Sequence, residues 1–422
     1  MQIFKALLPV VALAAMSQLS AQEEPPADSR LALEELRNFT RVFEQVRQAY
    51  VEELSDEEIF SMAIRGMLQE LDPHSDYLTL VERNELRDTA EGRFSGIGVE
   101  LSMQGDNLTV VTPIDGSPAA RANIQPGDVI VAVDAESIEG FSFRQAIEAL
   151  EGEAGEPVVL TILREGSRGA RDVELTRERI LVGSVSHQVL SESVGYLRVA
   201  QFSDNTAVEF RQALEELLAK PAPLAGLVID LRNNPGGLLR GATDIADLFL
   251  SSGTIVSTRG RIEQANQVFR ASPETLADHL PIVVLINRGS ASAAEIVAGA
   301  LQDHGRAILL GDVSFGKGSV QEVLSVDETS AIKLTIARYY TPSGRSIQAR
   351  GIYPDIRVDR GSISWQTGSN SLTEAALSRS LASEDGAPEM VGLRQTLSDI
   401  EDAQLAQAVS LLLGNQLLRL GQ

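Results

Sequence analysis

The sequence predicts a multidomain α+β chain, and three changes of pattern along it carry that prediction. Residues 36–71 repeat their apolar positions at helical spacing. Residues 86–176 turn to short strands broken by Gly and Pro, and residues 179–363 alternate strands with helices. A last apolar stripe at helical spacing closes the chain: Leu405, Val409, Leu412, Leu413, Leu417 and Leu420. With 422 residues, several domains can each bury an adequate core, so a chain without cysteine needs no disulfide staple. A formal net charge of −23 repels phosphates and excludes a nucleic-acid partner.

In chain order, residues 1–21 (MQIFKALLPVVALAAMSQLSA) hold one lysine, an apolar core from Ala6 to Met16 and small residues near Ala21. That is the layout of a secretory signal peptide, too short in its apolar part to span a bilayer securely. No cysteine follows the core, so a lipid-anchored precursor is not expected. The mature protein is expected to be soluble and exported, in the periplasm of a Gram-negative bacterium. Gln22–Ser29 is a polar, Pro-rich linker. Leu36, Phe39, Phe43, Val46 and Tyr50 then form a heptad-like seam on one helix. The seam either lies on its own domain or joins a second copy of the chain. A second helix, Asp56 to Leu71, opens at a Ser55-Asp56-Glu57-Glu58 cap whose acids suit the positive helix end. It stops at Asp72-Pro73-His74-Ser75-Asp76-Tyr77-Leu78, read as a structural turn although His74 and Asp76 are chemically capable. Residues 22–82 are therefore taken as linker and N-terminal helical segment.

Residues 83–178 form the next expected domain. Ser95-Gly96-Ile97-Gly98-Val99-Glu100-Leu101 is a glycine turn leading into an alternating strand. Gln125-Pro126-Gly127-Asp128-Val129-Ile130 is a second turn and strand; a helix near Ser142–Leu150 and a strand near Pro157–Arg164 follow. Glycines tolerate φ > 0, consecutive N–H groups make an anion nest, and an edge strand takes up a peptide by β-augmentation. Together these pieces resemble a PDZ domain, with Gly96, Ile97, Gly98 and Val99 as its carboxylate-binding loop. A β-rich spacer without a peptide site is the plainer alternative.

Residues 179–363 are expected to form an α/β core. Val194–Val199 is a strand, Ala207–Leu218 a helix, and Leu224–Leu231 a buried strand ending in Asp230-Leu231-Arg232-Asn233-Asn234-Pro235-Gly236-Gly237. Ile282–Ile286 is a second buried strand, followed by Gly289-Ser290-Ala291-Ser292-Ala293-Ala294 and a helix from Glu295 to Asp303. A serine on a strand-to-helix turn suits a nucleophile, because small neighbours admit a substrate backbone and the helix start offers free N–H groups to an oxyanion. The bland alternative makes Ser290 and Ser292 capping or packing serines. Gly311 to Gln321 is a glycine-flanked turn carrying Lys317, which would otherwise be a solvated surface lysine. Gly311-x-x-x-x-Gly316-Lys317 also opens like a phosphate-binding loop. Gly318 stands where that loop needs Ser or Thr, and the Leu227–Asp230 strand precedes the loop instead of following it. Ile332–Tyr340, Thr341–Gln348 and Gly351–Ile356 are read as structural. Residues 364–422 are expected to be a linker, low in complexity at Ser364–Leu372, and a helical tail that packs on its own core or joins a second subunit.

Gly289–Ile296 and Phe315-Gly316-Lys317-Gly318-Ser319-Val320-Gln321 resemble the serine and lysine turns of the carboxyl-terminal processing proteases, tail-specific Ser-Lys peptidases. One departure is Ala294, where that family usually has Ser. Residues 230–237, 72–78, 339–348 and 351–355 resemble four further signatures of the same family, so the likeness spans about residues 35–360. It implies a crotonase-like core and a serine endopeptidase that cleaves exported proteins, recognised by their C-terminal tails through the PDZ domain. It makes Ser292 the nucleophile and Lys317 the base. Gln321, one helical turn beyond Lys317, would orient the amine, and Ala293 N–H with Gly237 or Gly236 N–H would form the oxyanion hole. No metal or organic cofactor is implied. Lysine is a base only when neutral, and lowering its pKa from about 10.4 to about 7.5 disfavours the charge by ~4 kcal/mol, within what burial supplies. The site must then be shielded by apolar groups, Phe315 among the candidates. The alternative is a PDZ peptide-binding or chaperone protein with an inactive protease body, against which the joint presence of Ser292, Lys317 and Gln321 counts. Expected partners are protein substrates with exposed C-terminal tails and further copies of the chain. An activating partner protein is left open.

Overall fold

The computed structural model describes residues 33–363 and 400–420, apart from positions 106, 115, 165, 168, 182 and 192. The expected signal peptide, the Gln22–Ser29 linker and the Ser364–Leu372 stretch lie outside the described residues. The chain divides into two compact units, Met1–Met67 and Leu68–Gln422.

In the first unit lies α1 (Leu33–Ala49), and α2 (Asp56–Gln69) begins there. The expected cap is present, with the Glu58 N–H donating to Ser55 Oγ and the Glu58 carboxylate accepting from the Ser55 N–H. Phe39 and Phe43 stack on Phe60 with centroids 6.4 and 4.5 Å away. No residue of α1 is buried, so its seam remains largely exposed at Leu36, Phe39 and Tyr50.

The second unit begins with the Asp72–Ser75 turn and β1 (Asp76–Thr79). Here the structure corrects the sequence reading: the segment is not only a turn, because β1 pairs antiparallel with a distant strand in the register Asp76 with Lys333. Next come α3 (Leu80–Ala90) and β2 (Arg93–Gly96). The glycine-turn domain follows as β3 (Val99–Gln104), β4 (Asn107–Pro113), α4 (Pro118–Arg121), β5 (Val129–Val133) and β6 (Glu136–Ser137). It closes with α5 (Phe143–Leu150), β7 (Pro157–Leu163) and β8 (Arg171–Thr176), and β9 (Glu178–Leu181) returns to pair with β2. Its sheet runs β3-β4-β5-β7-β8, with β6 paired to β5, so β3 is an edge strand.

The remaining elements are β10 (Val185–Leu190), β11 (Val194–Val199), α6 (Thr206–Leu218), β12 (Gly226–Asp230), α7 (Leu239–Asp247), β13 (Thr254–Gly260), β14 (Val268–Arg270) and β15 (Ile282–Ile286). After them come α8 (Ala293–Asp303), β16 (Ile308–Gly311), β17 (Ser319–Ser325), β18 (Ser330–Tyr340), β19 (Ile356–Arg357) and α9 (Ala403–Leu420). One sheet runs β10-β11-β12-β15-β16-β19, parallel except for the antiparallel β10–β11 pair. The second joins β1, β18, β13 and β14, with β17 also on β18.

Every residue of β12 and β15 is buried, which is why both read as unbroken apolar runs: their sheet is covered on both faces. Leu227, Ile229, Ile282, Val284 and Ile286 point into the core built with α6, α7 and α8. The alternate residues Val228, Val283 and Leu285 face Ala406, Ala408, Val409 and Leu412 of α9. The C-terminal stripe therefore packs on its own core over that half, while Leu417 and Leu418 stay exposed. The parallel strands end together, and the loops leaving β12 and β15 meet at the site described next.

Candidate active site

β15 ends in the turn Asn287–Ser292 and α8 starts at Ala293. Ser292 sits at the junction with φ 53° and ψ −111°, a backbone conformation that non-glycine residues adopt only when their surroundings hold them there. The loop after β12 is stitched to this turn at four points. Asn287 Nδ2 donates to Asn233 Oδ1 (2.9 Å), and Asn233 N–H donates to Asn287 Oδ1 (2.9 Å). Ala291 N–H donates to the Asn234 carbonyl (2.9 Å), and Ser290 Oγ donates to the Leu231 carbonyl (2.8 Å). Ser290 is fully buried and also accepts from Asn287 N–H, so its hydroxyl is consumed in holding the turn. Ser292, 7 % exposed, has its hydroxyl near the buried Tyr339 phenol, which burial pushes up to about 12 against the opposing Ser292 contact.

Glu295, fully buried, binds the serine and lysine turns together. One carboxylate oxygen accepts from Ser292 N–H (2.8 Å) and Lys317 N–H (2.9 Å). The other accepts from Ser314 Oγ (2.6 Å) and Gly316 N–H (2.7 Å). The Ser292 and Lys317 backbones thus share one oxygen, although 25 positions apart in sequence. Burial raises the Glu295 pKa, and the four donors pull the other way without cancelling it. Sequence reasoning missed this residue, although Ser292-x-x-Glu295 is a capping-box spacing that would have singled it out.

Lys317 is half-buried, and its pKa lies below the ordinary lysine value. Burial is the main cause, Lys333 adds repulsion, and Asp72 opposes both. Phe315, a candidate for that shielding, is itself 63 % exposed. Gln321 is placed differently from expectation, on β17 and not one helical turn beyond Lys317. Its side-chain amide donates to Ser319 Oγ (2.9 Å) and Thr335 Oγ1 (3.2 Å).

The two glycines of the β12 loop divide the expected roles. Gly236 N–H, the alternative to Gly237 for the oxyanion, donates to Asn234 Oδ1 (2.8 Å). What Gly236 provides is room, since a Cβ there would lie 2.8 Å from Ser292 Cβ. Gly237 N–H and Ala293 N–H have no protein acceptor among the described residues. A tetrahedral oxyanion needs two such donors beside the nucleophile. Among the described residues no cluster of three or more His, Asp or Glu side chains is arranged to hold a metal ion.

In the glycine-turn domain, Gly96, Ile97, Gly98 and Val99 line a cleft whose other walls include Leu101, Ile147, Leu150 and Ile180. Gly98 adopts φ +76°, and a Cβ there would fall 2.2 Å from Ser117 Cβ. Its carbonyl accepts from Ser117 Oγ (2.9 Å) and Ile114 N–H (2.9 Å), which fixes the loop at the open edge of β3. Asp72, Ser75 and Thr335, unmarked in the sequence as site residues, are hydrogen-bonded into the surroundings of Gln321.

Three family models match the chain: peptidase family S41 over residues 193–358, PDZ domain over residues 109–164, and the N-terminal domain of activating protease CtpB over residues 8–80. The carboxy-terminal-processing protease of Bartonella bacilliformis is 44 % identical over 352 residues, 83 % of this chain and 81 % of that protein. The carboxy-terminal processing protease CtpA of Bacillus subtilis is 34 % identical over 320 residues, 76 % of this chain and 68 % of that protein. Among solved structures, a photosystem II D1 C-terminal processing protease matches at 31 % identity with a TM-score of 0.48, covering 78 % of this chain and 94 % of that one.

Proposed function

Because the chain belongs to the carboxy-terminal processing proteases, serine-type peptidases of family S41, we propose that it cleaves exported proteins by a Ser292–Lys317 dyad after its PDZ domain has taken up their C-terminal tails. The observation that carries this reading is the shared Glu295 oxygen, which brings the Ser292 and Lys317 backbones together, beside a lysine whose pKa is already depressed by burial.

In the proposed reaction the neutral Lys317 Nζ takes the Ser292 hydroxyl proton as Oγ attacks the scissile carbonyl carbon. The oxyanion is held by Gly237 N–H and Ala293 N–H. Lys317 returns the proton to the leaving amine, the C–N bond breaks, and an acyl-enzyme remains. Water then attacks the ester as Lys317 takes its proton, the C–O bond to Ser292 breaks, and Lys317 passes the proton to Oγ, releasing the acid product and restoring the neutral amine. Gln321 orients the amine. A substrate tail lies along the edge of β3, with its carboxylate at Gly96–Val99 and its last apolar side chain in the cleft. The compartment proposed is the periplasm, reached through the N-terminal leader.

The test is incubation of the chain from residue 22 onward with a disordered polypeptide ending in an apolar residue, with and without Ser292→Ala, and mapping of products by mass spectrometry. Products from the wild type alone support the dyad. The same products from Ser292→Ala overturn it. Tail binding without any products favours the alternative of an inactive protease body.

A further inference from the structure

The Asp72–Ser75 turn lies far in sequence from the serine and lysine turns, yet its hydrogen bonds run to the residue that holds Gln321. Thr335 Oγ1 donates its single proton to Asp72 Oδ1 (3.1 Å). A carboxylate can only accept, so toward Gln321 the Thr335 hydroxyl can only accept as well. It therefore faces the NH2 end of the Gln321 amide, whose second hydrogen goes to Ser319 Oγ. Both amide hydrogens are then used, and Oε1 is the end left to accept. Without Thr335 the two ends of the amide would be interchangeable.

The turn is itself held firmly. Asp72 Oδ1 also accepts from His74 N–H (2.8 Å) and Ser75 N–H (3.0 Å), and Oδ2 accepts from Ser75 Oγ (2.7 Å). Thr335 N–H donates to Ser75 Oγ (3.1 Å), so turn and strand grip each other through two bonds at one residue of β18. The antiparallel register of β1 on β18 starts directly after it. Burial pushes the Asp72 carboxyl up, but hydrogen bonds from Ser75, His74 N–H and Thr335 outweigh it and leave it below the ordinary carboxylate value. Asp72 therefore stays ionised, and stays an acceptor, at neutral pH.

We propose that Asp72 and Thr335 are positioning residues for the peptidase reaction, fixing the Gln321 amide so that its carbonyl oxygen is the end presented to the Lys317 amine. The proposal rests on the dyad reading above and extends it to a segment more than 200 positions away in sequence. It also accounts for a motif, Asp72-Pro73-His74-Ser75, that the chemistry otherwise leaves unused. The titratable groups facing Lys317 are Asp72, Lys333 and His74, the last held below its ordinary value by burial and then by Lys317 itself; Glu295 is engaged at the Lys317 backbone N–H.

The experiment is steady-state hydrolysis of a peptide substrate by the full chain carrying Thr335→Val, Thr335→Ser, Gln321→Ala, or Thr335→Val with Gln321→Ala. Ser292→Ala and Lys317→Ala serve as references, and thermal unfolding of each variant checks the fold. Thr335→Val should lower kcat about tenfold with KM within twofold, the scale of one hydrogen bond to a charged or catalytic group. Thr335→Ser, which keeps the hydroxyl, should stay within about threefold of wild type by the same reasoning. In the Gln321→Ala background Thr335→Val should cost nothing further, because the residue it positions is gone. Multiplying effects, an unaffected Thr335→Val, or a Thr335→Ser as damaging as Thr335→Val would overturn the proposal while leaving the dyad standing. Activity surviving in Ser292→Ala or Lys317→Ala would instead remove the dyad reading beneath it.

Discussion

Glu295→Gln puts the most weight on the geometry, because the substitution changes one atom and its cost can be worked from four distances. The carboxylate takes Ser314 Oγ (2.6 Å) and Gly316 N–H (2.7 Å) on one oxygen, and Ser292 N–H (2.8 Å) and Lys317 N–H (2.9 Å) on the other. Glutamine keeps only one oxygen. If it faces Ser292 and Lys317, the NH2 group meets Ser314, whose hydroxyl can rotate and accept, and Gly316, whose N–H cannot. The opposite orientation strands two N–H groups and is worse. The cheaper arrangement leaves one buried N–H unpaired, at ~1–3 kcal/mol, and removes the charge from bonds that are about twice as strong with it. Together these amount to about 4 kcal/mol, a large share of a typical stability of about 5–15 kcal/mol. Urea unfolding of Glu295→Gln should show that loss, and peptide hydrolysis should fall, because the Gly316 N–H next to Lys317 loses its acceptor and the clasp on the lysine turn weakens. A variant destabilised by less than ~1 kcal/mol and still active would refute the idea that this carboxylate sets the site.

The other predictions test the separate parts. Ser292→Ala should abolish hydrolysis with the fold intact. Ser290→Ala should lose ~1–3 kcal/mol of stability from two buried hydrogen bonds yet keep activity within about tenfold, read by unfolding and by rate. Lys317→Arg should be nearly as inactive as Lys317→Ala, on the order of 10⁴-fold down, since arginine stays protonated. Activity should climb with pH as Lys317 loses its proton. Lys333→Gln removes a repelling charge, so Lys317 should hold its proton to higher pH and the acid limb should move upward; an unmoved limb would separate Lys333 from the base. Gly98→Ala, forced to φ +76° and against Ser117, should cost ~1–3 kcal/mol of local strain and weaken binding of a free C-terminal peptide, measured by fluorescence anisotropy. The same variant should leave hydrolysis of a substrate without a free tail unchanged.

What the sequence exposed and what it hid follow a physical division. Local patterns were legible: Leu227–Ile229 of β12 and all of β15 are apolar because both faces of their sheet are covered, and the glycines at 98, 236 and 237 mark close backbone approaches. Contacts that tie distant turns together left no local trace. Asn287 meets Asn233 across 54 positions, and Thr335 meets Asp72 across 263. Each of these residues alone is an ordinary polar side chain in a loop or on a strand. Two expectations rested on closeness in sequence. A spacing of four suggested a helix between Lys317 and Gln321, but Gly318 disfavours one, and the pairing of β17 along β18, invisible locally, holds the segment extended. Phe315 is a candidate shield for Lys317 by its closeness in sequence, and its exposure shows how little closeness along an extended chain says about burial.

The backbone strain at Ser292 is held by several of these contacts at once. A non-glycine residue at φ 53°, ψ −111° costs about 1–3 kcal/mol and persists only if its neighbours over-determine it. The surrounding bonds are of the right kind and number. Ser292 N–H is drawn to Glu295, Ala291 N–H is fixed to Asn234, and Ser290 is pinned at Leu231 and Asn287. Gly236 lies so close to Ser292 that no Cβ fits between them. The peptide on either side of Ser292 then has two fates. Its own N–H is turned inward to the carboxylate that also holds Lys317, while the next N–H, at Ala293, is left without a protein acceptor among the described residues. In the proposed reaction the two amides then serve different ends: the Ser292 N–H helps Glu295 hold the lysine turn, and the Ala293 N–H is free to meet the oxyanion.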